Sequence, residues 1–333
     1  MYYRQKKMKV RIVCYEGGQW ILGKFARKLQ ENLLQMGVDC DIANVPSAEV
    51  DVNHHIIYIN YLGKRNAPVE TLMITHIDAT LKLSRLIAQE DSYDVGICMS
   101  QQTMQQLIKG GVTESKVTYI NPAHDNVIEP RKLVLGISSK THNDGRKKED
   151  TLVSICRQIS NKDFAFKIMG SGWTGITNEM KSLGFDVEYI EEFDYDTYVK
   201  MMPRLDYYLY MSFDEGSMGF IDAVAAGVKT IVTPQGYHLD APDAITYAVN
   251  NEHEIIKVLN SISSERNKYI SAVKDWTWKN YTEQHVDLWS RLLDPSIIKT
   301  EIPAAKTSVK RSVKYLYLIY SFFYRTAKKL LKR

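Results

Sequence analysis

The chain has 333 residues, 44% of them apolar and 25% charged, which gives room for two domains of about 150 residues each and excludes a short disulfide-held or disordered chain. Its formal charge of +4 is uneven: nine Lys and Arg and no acid follow Glu301, while the other 34 basic residues face 39 acidic ones, so the basic balance is no argument for nucleic acid. Cys14, Cys40, Cys98 and Cys156 have neither CxxC nor metal spacing and read as core thiols of a reducing compartment; no apolar leader follows Met1, and no run reaches the ~18 apolar residues of a membrane span.

In chain order, residues 9–15 read as a strand that Glu16-Gly17-Gly18 turns into a helix over 21–36, with Gly37 as its stop. Strands follow at 38–45, 55–60, 71–75, 94–99 and 116–120, with helices at 80–88 and 101–109. Pro122 and Pro130 bracket a linker that holds His124, which reads as structural. A second series has strands at 132–138, 164–169, 186–190, 206–211 and 228–232, and helices at 149–159, 176–183, 195–202, from about 218, 252–262 and 276–293. Two successive alternations of strand and helix predict an α/β protein with two doubly wound parallel sheets.

The most informative stretch is residues 206–234, a strand, an acidic glycine-bearing loop, a short apolar helix, Gly227 as a helix stop and a β-branched strand. The helix shows no polar face and should be buried, yet it contains Asp222, and an unpaired buried carboxylate is unfavourable by several kcal/mol, roughly. Asp222 is therefore either a first-turn acid stabilised by the helix dipole or a carboxylate that takes two ligand hydroxyls, with the loop amides and helix N-terminus facing an anion. Two other patterns invite a reading. Gly170-Ser171-Gly172-Trp173-Thr174-Gly175 fits the dinucleotide fingerprint but follows a later strand, and Asp194-Tyr195-Asp196 fits a metal-binding DxD but begins a helix, where Asp is a common cap.

The 206–234 stretch resembles the donor-site signature of retaining glycosyltransferases of the GT-B fold, above all glycosyltransferase family 4. There a Glu and a glycine-rich turn lead to a second Glu eight residues on, then Ala-x-Ala-x-Gly and a strand. Asp222-Ala223-Val224-Ala225-Ala226-Gly227 matches the second half; in the first half Asp214 stands eight residues before Asp222 and Glu215 one position late. The resemblance covers roughly residues 8–295 and implies two facing Rossmann-like domains. These would be an acceptor domain (1–125), a nucleotide-sugar donor domain (126–275), a crossover helix (276–300) with Trp276, Trp278, Tyr281 and Trp289, and a basic amphipathic tail (301–333).

The family's site residues carry over as follows. The first acid, Asp214 or Glu215, would contact the donor sugar and Asp222 the ribose, with Gly216, Ser217, Met218 and Gly219 forming the loop between them. Lys140, Arg146 and Lys147, in the polar loop 139–149, would neutralise the leaving diphosphate; Lys at 140 forfeits the bidentate grip of Arg, which Arg146 stands near to supply. His76, at a strand end, would face the donor sugar, and the Gly17-Gly18 pair would let backbone approach sugar or phosphate. The family needs no metal or resident cofactor, only the nucleotide-diphosphate sugar as co-substrate, and in it the leaving phosphate often serves as base. The tail mixes nine cations with Tyr315, Leu316, Leu318, Ile319, Phe322, Phe323, Leu330 and Leu331, which suits a helix lying on an anionic membrane, with a partner helix as the competing reading. Together these features predict a cytoplasmic enzyme, peripheral at the inner face of the plasma membrane, that glycosylates a glycan or lipid-linked acceptor and binds no nucleic acid. The Asp at both acid positions keeps open a non-catalytic GT-B-like scaffold at the membrane, and the glycine pattern at 170–175 a dinucleotide-linked oxidoreductase.

Overall fold

The computed structural model describes residues 8–15, 20–142, 144–213, 217–294 and 296. The chain divides into two compact units, one of residues up to Ile120 together with those from Glu283, the other Asn121–Thr282. Among the described residues no helix is long and apolar enough to cross a membrane. The tail 301–333 lies outside the described residues.

The first unit contains strands β1 (Lys9–Val13), β2 (Asp39–Ala43), β3 (Val52–His55), β4 (Val69–Ile74), β5 (Val95–Cys98) and β6 (Val117–Tyr119), with helices α1 (Ile21–Gln35), α2 (Thr80–Ala88) and α3 (Gln101–Lys109). The strands form one parallel sheet in the order β2-β1-β3-β4-β5-β6. β3, β4 and β5 bury every residue, as the central strands of a sheet covered on both faces must. α1 buries Phe25, Ala26, Leu29 and Leu33, one stripe at helical spacing.

The second unit repeats the plan with β7 (Leu133–Ser138), β8 (Phe164–Met169), β9 (Asp186–Ile190), β10 (Tyr207–Tyr210), β11 (Lys229–Val232) and β12 (Tyr247–Ala248), all parallel in the order β12-β11-β10-β7-β8-β9. Its helices are α4 (Thr151–Cys156), α5 (Thr174–Ser182), α6 (Tyr195–Met201), α7 (Met218–Ala225) and α8 (Glu252–Ala272). Leu152, Ile155, Met180, Ile255 and Leu259, from α4, α5 and α8, join one core cluster, while Tyr198, Met201, Phe220 and Ala223, from α6 and α7, join another. The chain is therefore α/β with two Rossmann-like, doubly wound parallel sheets. α9 (Trp278–Leu293) starts in the second unit and ends in the first. All four cysteines are buried thiols.

Besides β12, which the sequence reading did not expect, three predicted elements differ from it. The strand expected at 55–60 is β3, three residues earlier, and 58–60 is a single 3-10 turn. Polar Asn53, His54 and His55 hid it, because their burial is made possible by partners on β4. Glu70 is fully buried; its Oε1 accepts from Asn53 Nδ2 and the Asn66 and Ala67 amides at 2.8–2.9 Å, and its Oε2 lies 2.7 Å from His55 Nε2. Beside it, Trp289 Nε1 of α9 donates to Thr71 Oγ1 at 3.2 Å, which leaves the Thr71 hydroxyl proton for His54 Nδ1 at 2.9 Å. The second difference is that α4 is shorter than expected. The third is that α8 runs to Ala272: Ser263 donates to the Asp163 carboxylate, and Arg266 reaches the Asp163 and Arg131 carbonyls, so its polar second half is anchored.

Burial acts to raise the Glu70 pKa, but His55, Asn53 and the two amides outweigh it and hold the carboxyl below its ordinary 4.5. Its contribution to stability is thus full above about pH 4.5 and is lost as pH falls through the lower folded value. Burial, then His285 and His55, push His54 well below 6.5, so a separate loss begins as pH falls under about 6.5. Urea denaturation at pH 7 should show Glu70→Ala less stable by about 3 kcal/mol or more, because it leaves Asn53, His55 and two amides without their buried acceptor. Glu70→Gln should flatten the lower limb of the stability–pH curve while leaving the upper one.

Candidate functional site

A doubly wound sheet has a crevice at its carboxyl edge where strand order reverses, since the helices leaving the two adjacent strands depart to opposite faces. In the second unit this point lies between β7 and β10. β7 ends at Ser138 and runs into Ser139 and Lys140; β10 ends at Tyr210 and runs through Met211, Ser212 and Phe213 towards α7. The two exits are tied together. The Arg146 carbonyl accepts from the Phe213 amide and the Ser212 hydroxyl, each at 3.0 Å, so the basic loop lies along the end of β10.

That tie positions the cations. Lys147 Nζ donates to Tyr210 Oη at 3.0 Å and lies 5.0 Å from the centre of the Tyr210 ring. Lys148 covers the Phe213 ring at 3.5 Å, and burial lowers its pKa. The Arg146 guanidinium rests against the His142 ring at 2.9 Å and near Asp144. Lys140 has no hydrogen-bond or ion-pair partner among the described residues and lines a cleft of about 560 Å³ with Gly170, Ser171, Glu191, Glu192 and Phe193. Glu149 closes the loop: its buried carboxylate takes the His142 amide at 2.6 Å on Oε1, while buried Oε2 has no partner among the described residues.

Asp222 corrects the sequence reading. α7 buries only Gly219, Phe220 and Ala223; Met218, Ile221 and Asp222 are exposed. With so many Ala and Gly the helix needs only one narrow face against the sheet. Asp222 is not without a partner, however. Tyr198 of α6 donates to its Oδ2 at 2.6 Å, and burial followed by this bond pushes the Tyr198 pKa up strongly.

The other predicted residues have plainer places. The Ser217 hydroxyl is turned inward to Tyr208 Oη at 2.7 Å, and its amide faces His238 Nε2 at 3.3 Å. Gly219 is fixed by the same phenol, since a Cβ there would overlap Tyr208 Oη. His76 follows β4 on the first unit, largely exposed, with Nδ1 3.0 Å from Thr75 Oγ1 and Nε2 3.7 Å from Asp78. Gly17, Gly18, Asp214, Glu215 and Gly216 lie outside the described residues.

The competing motifs have structural explanations. Trp173 is buried in the core and donates Nε1 to the Ser139 carbonyl at 2.7 Å. Gly170, at φ +132°, would drive a Cβ into that same carbonyl, and Gly172, at φ +96°, would drive one into Thr141, so these two glycines serve close packing of two loops, while Gly175 stands in open space. Asp194 caps α6 through the Thr197 amide at 2.8 Å. Sequence reasoning missed Tyr198, Tyr210 and Glu149. Tyr210 was within reach as the last residue of a strand beside the crevice, whereas Tyr198 had no local signal.

No family model matches the chain, and no curated protein matches it. Among solved structures it is similar to Anabaena HepE in complex with UDP-glucose, at 12% identity over 85% of this chain and 99% of that one, TM-score 0.34. The apo lipopolysaccharide outer core galactosyltransferase WaaB matches at 12% identity over 85% and 100%, TM-score 0.35. Sucrose-phosphate synthase from Thermosynechococcus elongatus matches at 13% over 86% and 99%, TM-score 0.35. At these identities and scores the likeness says nothing of what this chain does.

The packing of Gly219 makes a direct test. Gly219→Ala should lower stability by about 1–3 kcal/mol in urea denaturation, as overpacking does. Adding Tyr208→Phe, which removes the overlapping hydroxyl, should recover part of that loss.

Proposed function

We propose that the chain is a retaining, metal-independent glycosyltransferase of the GT-B kind that moves a sugar from a nucleotide-diphosphate donor to an acceptor hydroxyl. The observation that carries this reading is the basic loop of Arg146 and Lys147 fixed on Tyr210 and Ser212 at the switch point of the second sheet, with Asp222, held by Tyr198, on the helix that follows the same strand. A diphosphate leaving group develops negative charge as the glycosidic bond breaks. Cations fixed beforehand at that place stabilise it without reorganisation, which is electrostatic rather than acid–base catalysis. Lys147 is held by a phenol, and Lys140 and Arg146 flank it on the same loop.

Asp222 would accept the two ribose hydroxyls. Tyr198 already fixes one of its oxygens, so the carboxylate is oriented before the ligand arrives. By the resemblance described above, Asp214 or Glu215, with Gly216, would hold the donor sugar, and His76 with Gly17 and Gly18 would orient sugar and acceptor. In the same reading the departing phosphate takes the acceptor proton, so no side-chain base is assigned. The basic, aromatic-rich tail favours an acceptor at an anionic membrane, such as a lipid-linked glycan, and hence cell-surface glycan assembly (lipopolysaccharide, capsule or exopolysaccharide) on the cytoplasmic side.

Thermal-shift titration with nucleoside diphosphates in EDTA tests the donor site. Ligand at about 100 times its Kd adds roughly 2.7 kcal/mol, a clear rise in Tm. At least one nucleoside diphosphate should stabilise the wild type, and Asp222→Ala should weaken it at least about tenfold, since a hydrogen bond to a charged group contributes about 1.5–3 kcal/mol. Lys147→Ala should lower kcat more than it raises KM. A folded wild type that binds no nucleotide would favour the scaffold reading. Separately, deletion of residues 302–333 should release the protein from anionic liposomes; undiminished binding would remove the membrane assignment.

A further inference from the structure

The cleft at the carboxyl ends of β7, β8 and β9 has a far wall that the donor reading does not use, opposite the Lys140 that it does. At about 560 Å³ it is the size of an ordinary small-molecule site. One wall is the cation Lys140 with Ser139, beside the switch point. The floor is the Gly170 turn, where backbone is bare of side chain. The far wall, just past β9, is Glu191, Glu192 and Phe193. Neither glutamate has a hydrogen-bond or ion-pair partner among the described residues. The Phe193 ring is 62% exposed and leans on the Tyr198 ring at 5.3 Å, so the far wall is continuous with the Tyr198–Asp222 pair.

This polarity orders a nucleoside diphosphate in one direction. The phosphates belong at the Lys140 and Lys147 end, because two carboxylates repel them from the other. The sugar ring then falls to Asp222, as the donor-site reading assigns it, and the base reaches the β9 end, where Phe193, packed on Tyr198, offers a face for stacking. A carboxylate can only accept hydrogen bonds, so this wall selects among bases by the N–H groups they present. Guanine carries N1–H and an amino N–H side by side, which match the two oxygens of one carboxylate. Uracil and thymine present a single N–H between two carbonyl oxygens that a carboxylate repels. Adenine and cytosine present an amino group beside a ring nitrogen that is itself an acceptor.

We infer that Glu191 and Glu192 form a guanine-reading wall, so that the donor is a guanosine-diphosphate sugar. The inference rests on the donor-site reading above and adds the base to it. Isothermal titration of the full chain with GDP, UDP, ADP, CDP and inorganic pyrophosphate tests it, in the wild type, Glu191→Ala, Glu192→Ala and the double variant. Wild type should bind GDP at least about tenfold more tightly than UDP, as one good bidentate pair discriminates between bases. The double variant should bring GDP to within about threefold of UDP while UDP and pyrophosphate affinities stay unchanged or rise, which also shows that the variant is folded. Equal or tighter wild-type binding of any other nucleotide overturns the base assignment alone and leaves the donor site standing. So does GDP preference that survives in the double variant. Failure of every nucleotide to bind folded wild type overturns the donor site and this inference with it.

Discussion

A parallel strand cannot return to its neighbour by a hairpin, so every connection in these two sheets must cross a face, and at one place in each sheet the crossings change sides. In the second unit that place is between β7 and β10, where the chain beyond the two strands departs in opposite directions. Its backbone groups find partners in each other: Arg146 accepts from Phe213 and Ser212, Ser139 donates to Met169, and Thr141 donates to Ser171. Satisfying those groups folds a basic loop against the strand ends. The Lys147–Tyr210 contact and the bare Gly170 turn follow from that folding.

The first unit meets a different requirement, that of burying polar side chains inside a sheet. Glu70 is tolerated because it accepts four hydrogen bonds, and His54 because it remains neutral beside Thr71, His285 and Trp289. Such a network is satisfied only when β3, β4 and α9 are all in register, so it favours one arrangement over compact alternatives. The carboxyl edge of this sheet carries His76 on a short, exposed turn whose carbonyl is held by the Tyr58 hydroxyl at 2.6 Å.

Legibility followed the range of the interaction that decided each feature. β1, β4, β8 and β10 were readable because buried parallel strands are apolar runs, and α6 because Asp194 caps it locally. β3 was misplaced because Asn53, His54 and His55 are polar, and what makes them strand residues is Glu70 seventeen positions away and Thr71 beside it. Asp222 was singled out correctly as an acid in an apolar helix but placed in the wrong surroundings. Composition cannot tell a fully buried helix from one that presses a narrow strip of Gly219, Phe220 and Ala223 on a sheet.

By itself, the sequence determined the alternation of strands and helices, the α/β class, and a short set of charged and glycine positions at strand ends. Those are local matters of periodicity, turn residues and capping. Tertiary structure decided which strand exits are neighbours, that Tyr198 rather than the helix dipole holds Asp222, that Tyr210 carries Lys147, and that Gly170 and Gly219 are glycines because Ser139 and Tyr208 approach them. Each of these joins residues far apart in the chain, and it is the crossing connections of a parallel sheet that bring them together.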